Sequence, residues 1–179
     1  MPRAPEPHTP DIDLAARRAV AAEGVLTPEL EAFCQGGVSV VLAASLRGEP
    51  PVAGIGYGCR VLPGGRMRIL LQRAANAPLL DLARRGAGLA ATFSQPFTHR
   101  SIQVKGSGAV VAEPGRDDLS RAVRQADGLR RELVEVQYAP DFAAAYCTVD
   151  EADLAAIDIT LDSAFVQTPG PGAGAELKP

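Results

Sequence analysis

Histidine and cysteine are scarce. The 179-residue chain has two histidines, His8 and His99, and three cysteines, Cys34, Cys59 and Cys147. The cysteines are odd in number and far apart, with no Cys-x-x-Cys pair, which argues against a disulfide framework or a Cys/His zinc site and suits a reducing cytoplasm. His99 is the one histidine outside the N-terminal stretch and no serine sits in a Gly-x-Ser-x-Gly elbow, so a Ser-His-Asp triad has no support. Positive charge is short too: 18 Lys and Arg stand against 21 Asp and Glu, a net charge of −3. A general nucleic-acid binder would show a basic surplus. The longest apolar runs, such as "VSVVLAASL" from Val38, end in "RGEPP", far short of the roughly 20 residues a membrane helix needs. The opening "MPRAPEPHTPDID" holds several prolines but no apolar core, so it reads as an irregular lead-in rather than a secretory signal.

What is present suits one soluble globular domain. Hydrophobic residues make up 46% of the chain, enough for a sizeable core at this length. Residues 11–22, rich in Ala, Leu and Arg, predict a helix stopped near Gly24. "TPELEAFCQGG" predicts a better signed one, with Thr27 as N-cap, Pro28 in the first turn and Gly36-Gly37 as terminator. Three β-rich runs follow, Val38–Leu46, Val52–Leu62 and Met67–Leu71, separated by "RGEPP" and "PGG", the pattern of an antiparallel meander.

"GIGYG" from Gly54 is not a dinucleotide fingerprint, because its spacing is wrong and no strand–turn–helix order surrounds it. Its alternate glycines instead predict a strand that something flat or bulky approaches closely. Asn76 is placed to cap a short helix starting at Ala77-Pro78 and closed by Arg84-Arg85 and Gly86. "LAATFSQ" and "HRSIQVKGSGAVVAE" predict a strand pair turning at Pro96. A helical stretch interrupted at Gly128 comes next, with Asp117 and Asp118 as solvated residues of its first turn. "LAAIDITLDSAFVQ" predicts a closing strand with Ile157, Ile159, Leu161 and Phe165 on one face. "TPGPGAGAELKP" forms a Pro/Gly-rich end, either a rigid turn or a flexible tail. The fold class expected from this order is mainly β with peripheral helices, a six-stranded antiparallel barrel. Its boundaries are an N-terminal extension over 1–26, the barrel domain over 27–167 and a tail over 168–179.

Polar groups concentrate in two places. The helix start at Asn76, with Arg73 three residues earlier, offers backbone N–H groups and a cation to a phosphate. In "THRSIQVKG", Ser101, Gln103 and Lys105 share one strand face, while Arg100, Ile102 and Val104 share the other. The alternative for Arg73, Arg100 and Lys105 is that they are ordinary solvated charges.

The element order, with "RILLQRAANAPLLDLARRGAGLAATFSQP" followed by "THRSIQVKG", resembles the pyridoxamine 5′-phosphate oxidase-like family of FMN-binding split barrels over roughly residues 27–167. The resemblance implies a split β-barrel of the FMN-binding type, a homodimer, and a cofactor site drawn from Arg73, Asn76, Arg100, Ser101, Gln103 and Lys105. It also implies flavin hydride transfer on a small-molecule substrate or electron acceptor, with no metal, nucleic acid or membrane and no side chain assigned as acid or base. Two departures stand out. The oxidase has an Arg-Lys pair where this chain has Asn76-Ala77, and it closes its site with a segment carrying tryptophan and arginine, whereas this chain has no tryptophan. Oxidation of pyridoxamine phosphate is therefore not expected. A non-catalytic flavin or haem binder on the same fold, or a deazaflavin-dependent reductase, are the alternatives.

Overall fold

The computed structural model describes residues 24–177, so the helix expected over 11–22 lies outside the described residues. The order is α1 (Pro28–Cys34), β1 (Ser39–Ser45), β2 (Val52–Leu62), β3 (Arg66–Gln72), α2 (Ala77–Arg84), β4 (Gly88–Ser94), β5 (Ser101–Ala112), α3 (Asp118–Glu135), α4 (Pro140–Tyr146), β6 (Leu154–Val166) and β7 (Glu176–Leu177). The sheet runs β3-β2-β1-β4-β5-β6-β7, and β3 pairs a second time with β6, from Arg66 opposite Thr160 to Gln72 opposite Leu154. That extra ladder closes β1–β6 into a six-stranded antiparallel barrel. The expected fold class, mainly β with peripheral helices, is the observed one.

Alternation puts one side of β1, β4, β5 and the middle of β6 inside. Val40, Leu42 and Ala44 of β1, Leu89, Ala91 and Phe93 of β4, Ile102 and Val104 of β5, and Ile157, Ile159 and Leu161 of β6 are all buried. Each fully buried Leu, Ile or Phe contributes about 1.5–3 kcal/mol relative to exposure. Helix α2 packs Leu79, Leu80, Leu82 and Ala83 into the same cluster and touches β1, β2 and β5. Thr27 caps α1, its Oγ1 accepting from the Leu30 N–H at 3.2 Å, as the sequence predicts.

Strand β2 loses its neighbours part-way. Its pairing with β1 runs from Val52 only to Gly56, and its pairing with β3 begins at Gly56, with a bulge before Gly58. Side-chain amides complete both edges. On one, the Ile55 N–H donates to Asn76 Oδ1 at 2.9 Å, while Asn76 Nδ2 donates to the carbonyls of Ile55 and Gln72 at 3.1 and 2.7 Å. On the other, the Cys59 N–H donates to Gln125 Oε1 at 2.8 Å and Gln125 Nε2 returns to the Cys59 carbonyl at 2.7 Å. The Val61 N–H then donates to Gln35 Oε1 at 3.2 Å.

These contacts correct four expectations. Asn76 occupies the N-cap position of α2 but makes no side-chain cap bond; its amide extends the β2 ladder instead. The β2 glycines make room for the protein itself. A Cβ on Gly54 would overlap Asn76 Oδ1, and one on Gly58 would meet Gln125 Oε1 at 2.8 Å. Helix α3 continues through Gly128, because that residue is where the helix crosses Gly37: a Cβ there would lie 2.7 Å from the Gly37 Cα. Asp118 is 1% exposed rather than solvated. It accepts from the Gly115 N–H at 2.6 Å and from Arg68 Nη1 at 3.0 Å, while Arg68 also grips Asp158 through two bonds of 2.7 and 2.8 Å.

Two further differences come from the end of the chain. Register shifts between β5 and β6 turn Phe165 away from the face shared by Ile157, Ile159 and Leu161. Beyond β6 the chain turns and returns as β7, pairing Leu177 with Ala164, and Leu177 is buried. The short helix α4, opened by Pro140, has no counterpart in the sequence expectation.

Replacing Asn76 by Ala removes three hydrogen bonds, two of them at the otherwise unpaired Ile55. We expect a loss of about 2–4 kcal/mol, read as a lower urea midpoint at unchanged slope. A loss under about 0.5 kcal/mol, the range of ordinary surface substitutions, would show that water replaces the amide.

Candidate functional site

The outward side of the barrel presents a continuous face across β2, β1, β4 and β5. Cross-strand partners place Ile55, Val41, Thr92 and Gln103 in one row, and Gln103 is opposite Phe165 of β6. At one strand spacing per step, Ile55 and Gln103 are about 14 Å apart. A second row holds Ala53, Ala43, Ala90 and Lys105, and a third holds Ser39, Ser94 and Ser101. The face is therefore small and apolar on β2 and β1 and polar on β5. Val41 is 47% exposed and Ile55 42%, so two aliphatic side chains meet solvent side by side. Two exposed aliphatic side chains that adjoin in this way make the face a candidate binding surface.

The polar end is partly satisfied. Gln103 Nε2 donates to Thr92 Oγ1 at 3.1 Å, and the Ser94 and Ser101 hydroxyls lie 2.6 Å apart. Ser101 is buried, and its N–H donates to Thr168 Oγ1 at 3.0 Å. The Lys105 ammonium sits 4.5 Å from the Phe165 ring centroid, a cation–π contact at the edge of the face.

The six residues expected at a cofactor are thus dispersed. Ser101, Gln103 and Lys105 share the outward face. Arg100 lies outside the strand, reaching Glu29 of α1 at 2.8 Å and stacking over Phe33 at 4.7 Å. Arg73 is at the far end of β5, where Nη2 donates to Glu113 at 3.1 and 3.2 Å and to the Leu154 carbonyl at 3.4 Å. Asn76 is 2% exposed, with its amide committed to Ile55 and Gln72. The structure does not bring Arg73 and Asn76 together as a phosphate cradle.

Sequence reading missed the apolar half of the face, although the alternation of Val41, Ala43 and Ser45 against Leu42 and Ala44 carries its signal. It also missed the aromatics at and just before α4. Tyr138, Phe142 and Tyr146, spaced four apart, stack with centroids 5.3 and 5.9 Å apart. Tyr57, at the β2 bulge, is coupled to Tyr146 and Cys147, and burial raises the pKa of all three above its ordinary value. Burial also raises the thiols of Cys34 and Cys59. None of the cysteines is an activated thiolate. Among the described residues no cluster of His, Cys, Asp and Glu is arranged to hold a metal, and no helix is long and apolar enough to cross a membrane.

No protein-family model matches the chain, and no curated protein matches it significantly. Solved structures to which it is similar include an F420 reductase, 15% identical, covering 75% of this chain and 94% of the other at a TM-score of 0.49. HupZ from Group A Streptococcus is 12% identical, with coverages of 83% and 99% and a TM-score of 0.48. A Clostridium acetobutylicum protein of the pyridoxinephosphate oxidase family, related to general stress protein 26, is 10% identical, with coverages of 73% and 80% and a TM-score of 0.40. The barrel described above rests on its own strand pairing.

Because burial disfavours the Cys147 thiolate, its alkylation by iodoacetamide should reach half its limiting rate at a higher pH than that of a free cysteine. A pH–rate profile on the Cys34→Ala/Cys59→Ala background checks this, and a midpoint at or below the free-thiol value of about 8.5 contradicts it.

Proposed function

We propose that the outward sheet face binds a flavin, with FMN the first choice, and that the protein is an oxidoreductase acting on a small molecule. In this reading it works in the cytoplasm as a homodimer, a second copy covering the same face. The observation that supports it is the row Ile55, Val41, Thr92, Gln103. An isoalloxazine is planar, apolar at its benzenoid end and lined with amide-like N–H and C=O groups at its pyrimidine end. The row is about as long as that ring with part of its side chain, and it runs from aliphatic to hydrogen-bonding residues in the same sense. The Gln103 side-chain carbonyl oxygen has no partner among the described residues once Nε2 has gone to Thr92, and in this reading it would accept from a ring N–H.

The ring fits this face better than the phosphate does. Arg73 and Asn76 hold their own partners, which leaves Lys105 as the exposed cation on the face. Bound there, FMN would supply two-electron hydride chemistry. The chain's own part would be positional: Val41 and Ile55 exclude water from one end of the ring, and Gln103 and Thr92 orient the other. Burial raises the pKa of Tyr57, Tyr146 and Cys147, so none of the three would serve as a nucleophile.

The visible spectrum of freshly purified protein, with identification of any chromophore released on denaturation, tests the reading. Oxidised-flavin bands and released FMN are expected. Val41→Asp should abolish FMN uptake and give a monomer by light scattering, with little change in melting temperature because Val41 is half-exposed. A haem band would move the protein to the binder reading, and a preference for deazaflavin in titration would replace FMN as the cofactor. A colourless monomer that takes up none of the three ends the proposal.

A further inference from the structure

A second concavity lies where α3 crosses the segment joining α1 to β1, among residues that the flavin reading does not use. Four positions of α3, Arg121, Arg124, Gly128 and Arg131, fall at spacings of three, four and three, which places them on one helix face. With Gln35, Gly36, Gly37 and Gln125 they line a cavity of about 350 Å³. Among the described residues no carboxylate lines it.

Among the described residues two buried side-chain atoms lack a hydrogen-bond partner, Arg121 Nε and, one turn earlier on α3, Asp118 Oδ1. A buried guanidinium N–H without an acceptor is costly, and such exceptions in native proteins ask for an explanation. Arg124 is exposed and has no partner among the described residues, while Arg131 is tied to Asp127 at 2.9 Å. The two glutamines do not compete for an anion, since the Gln125 amide is taken by Cys59 and the Gln35 amide bonds the Val61 N–H and the Glu31 carbonyl. The floor is bare backbone at the Gly37–Gly128 crossing. Beside it lies a cavity of about 500 Å³ bordered by Phe33, Val38, Gln95, Glu132 and Glu135, which shares Gly36, Gly37, Gly128 and Arg131 with the first.

We propose that this groove is a binding site for a small phosphomonoester, its phosphate held by Arg121 and Arg124 and its organic group lying over the two glycines toward Phe33 and Val38. Two guanidinium groups facing a site without carboxylates suit a dianion, and Arg presents its N–H pairs in the geometry phosphate oxygens accept. The glycines let the two backbones touch at the crossing, because a side chain at either one would meet the opposite backbone, and the floor of the groove there carries no side chain. The proposal is independent of flavin binding.

Titration calorimetry on the protein as purified, at fixed ionic strength, tests it with phenyl phosphate and with inorganic phosphate. One saturable site per chain is expected, tighter for phenyl phosphate. Arg121→Gln and Arg124→Gln should each weaken it at least about tenfold, as losing a charge-assisted hydrogen bond does. Arg47→Gln, at an exposed cation in the β1–β2 turn, should leave it unchanged, and so should Lys105→Gln on the flavin face. Melting temperatures of the variants confirm that they fold. Absence of saturable binding, or an equal loss in Arg47→Gln, overturns the site. A loss confined to Lys105→Gln moves the phosphate to the sheet face and overturns it too. Equal affinity for the two ligands overturns the assignment of the organic group to the Phe33 end.

Discussion

Strand β2 must satisfy its backbone on both edges although neither neighbour runs its whole length. β1 leaves it after Gly56, and β3 joins it only from Gly56 onward. An unpaired N–H or C=O in a buried strand costs about as much as the hydrogen bond it lacks. Asn76 supplies the missing partners on one edge, and Gln125 and Gln35 supply them on the other. The consequence reaches outward, because each amide brings its own element with it: Asn76 fixes the start of α2, Gln125 the middle of α3 and Gln35 the end of α1. Three helices are thus docked by the repair of one strand, and the glycines at 54 and 58 exist to let two of them in.

The same economy of polar groups shapes the surface. Residues that look like ligand binders when read one by one are mostly engaged inside the chain: Asn76 with β2, Arg73 with Glu113, Arg100 with Glu29 and Phe33, and Arg68 with two aspartates. Among the surfaces left open are the outward sheet face, apolar at Val41 and Ile55 and polar at Gln103, and the arginine-lined groove beside Gly37 and Gly128. The first is flat and suits a planar ring or a second copy of the chain. The second is concave and positively charged. They differ in shape and charge because one is made by strand alternation and the other by a helix crossing a loop.

Much of the barrel was legible in the residues. Turn clusters separated the strands, Thr27-Pro28 announced α1, and the alternation of β5 separated buried Ile102 and Val104 from outward Gln103 and Lys105. The misreadings share one cause. A glycine in a helix or strand reads locally as a break or a ligand gap, yet Gly128 and Gly54 are sites where another part of the same chain passes close by. Asp118 reads as a solvated first-turn acid, but its partner Arg68 is 50 residues away. Phe165 changes sides because a register shift in β6 interrupts the period of two.

Local chemistry, then, was determined by the sequence alone: which segments extend, which coil, where they turn and which face of each is apolar. These depend on neighbours within a few positions, where side-chain period and backbone preference act directly. Tertiary structure alone decided which polar groups remain available. Hydrogen bonds between Asn76 and Ile55, Gln125 and Cys59, or Arg73 and Glu113 join residues far apart in the chain, and only the assembled sheet and its docked helices bring such partners within reach. A donor is free for a ligand only when the fold has left it unpaired, and that is a property of the assembled domain rather than of any short stretch within it.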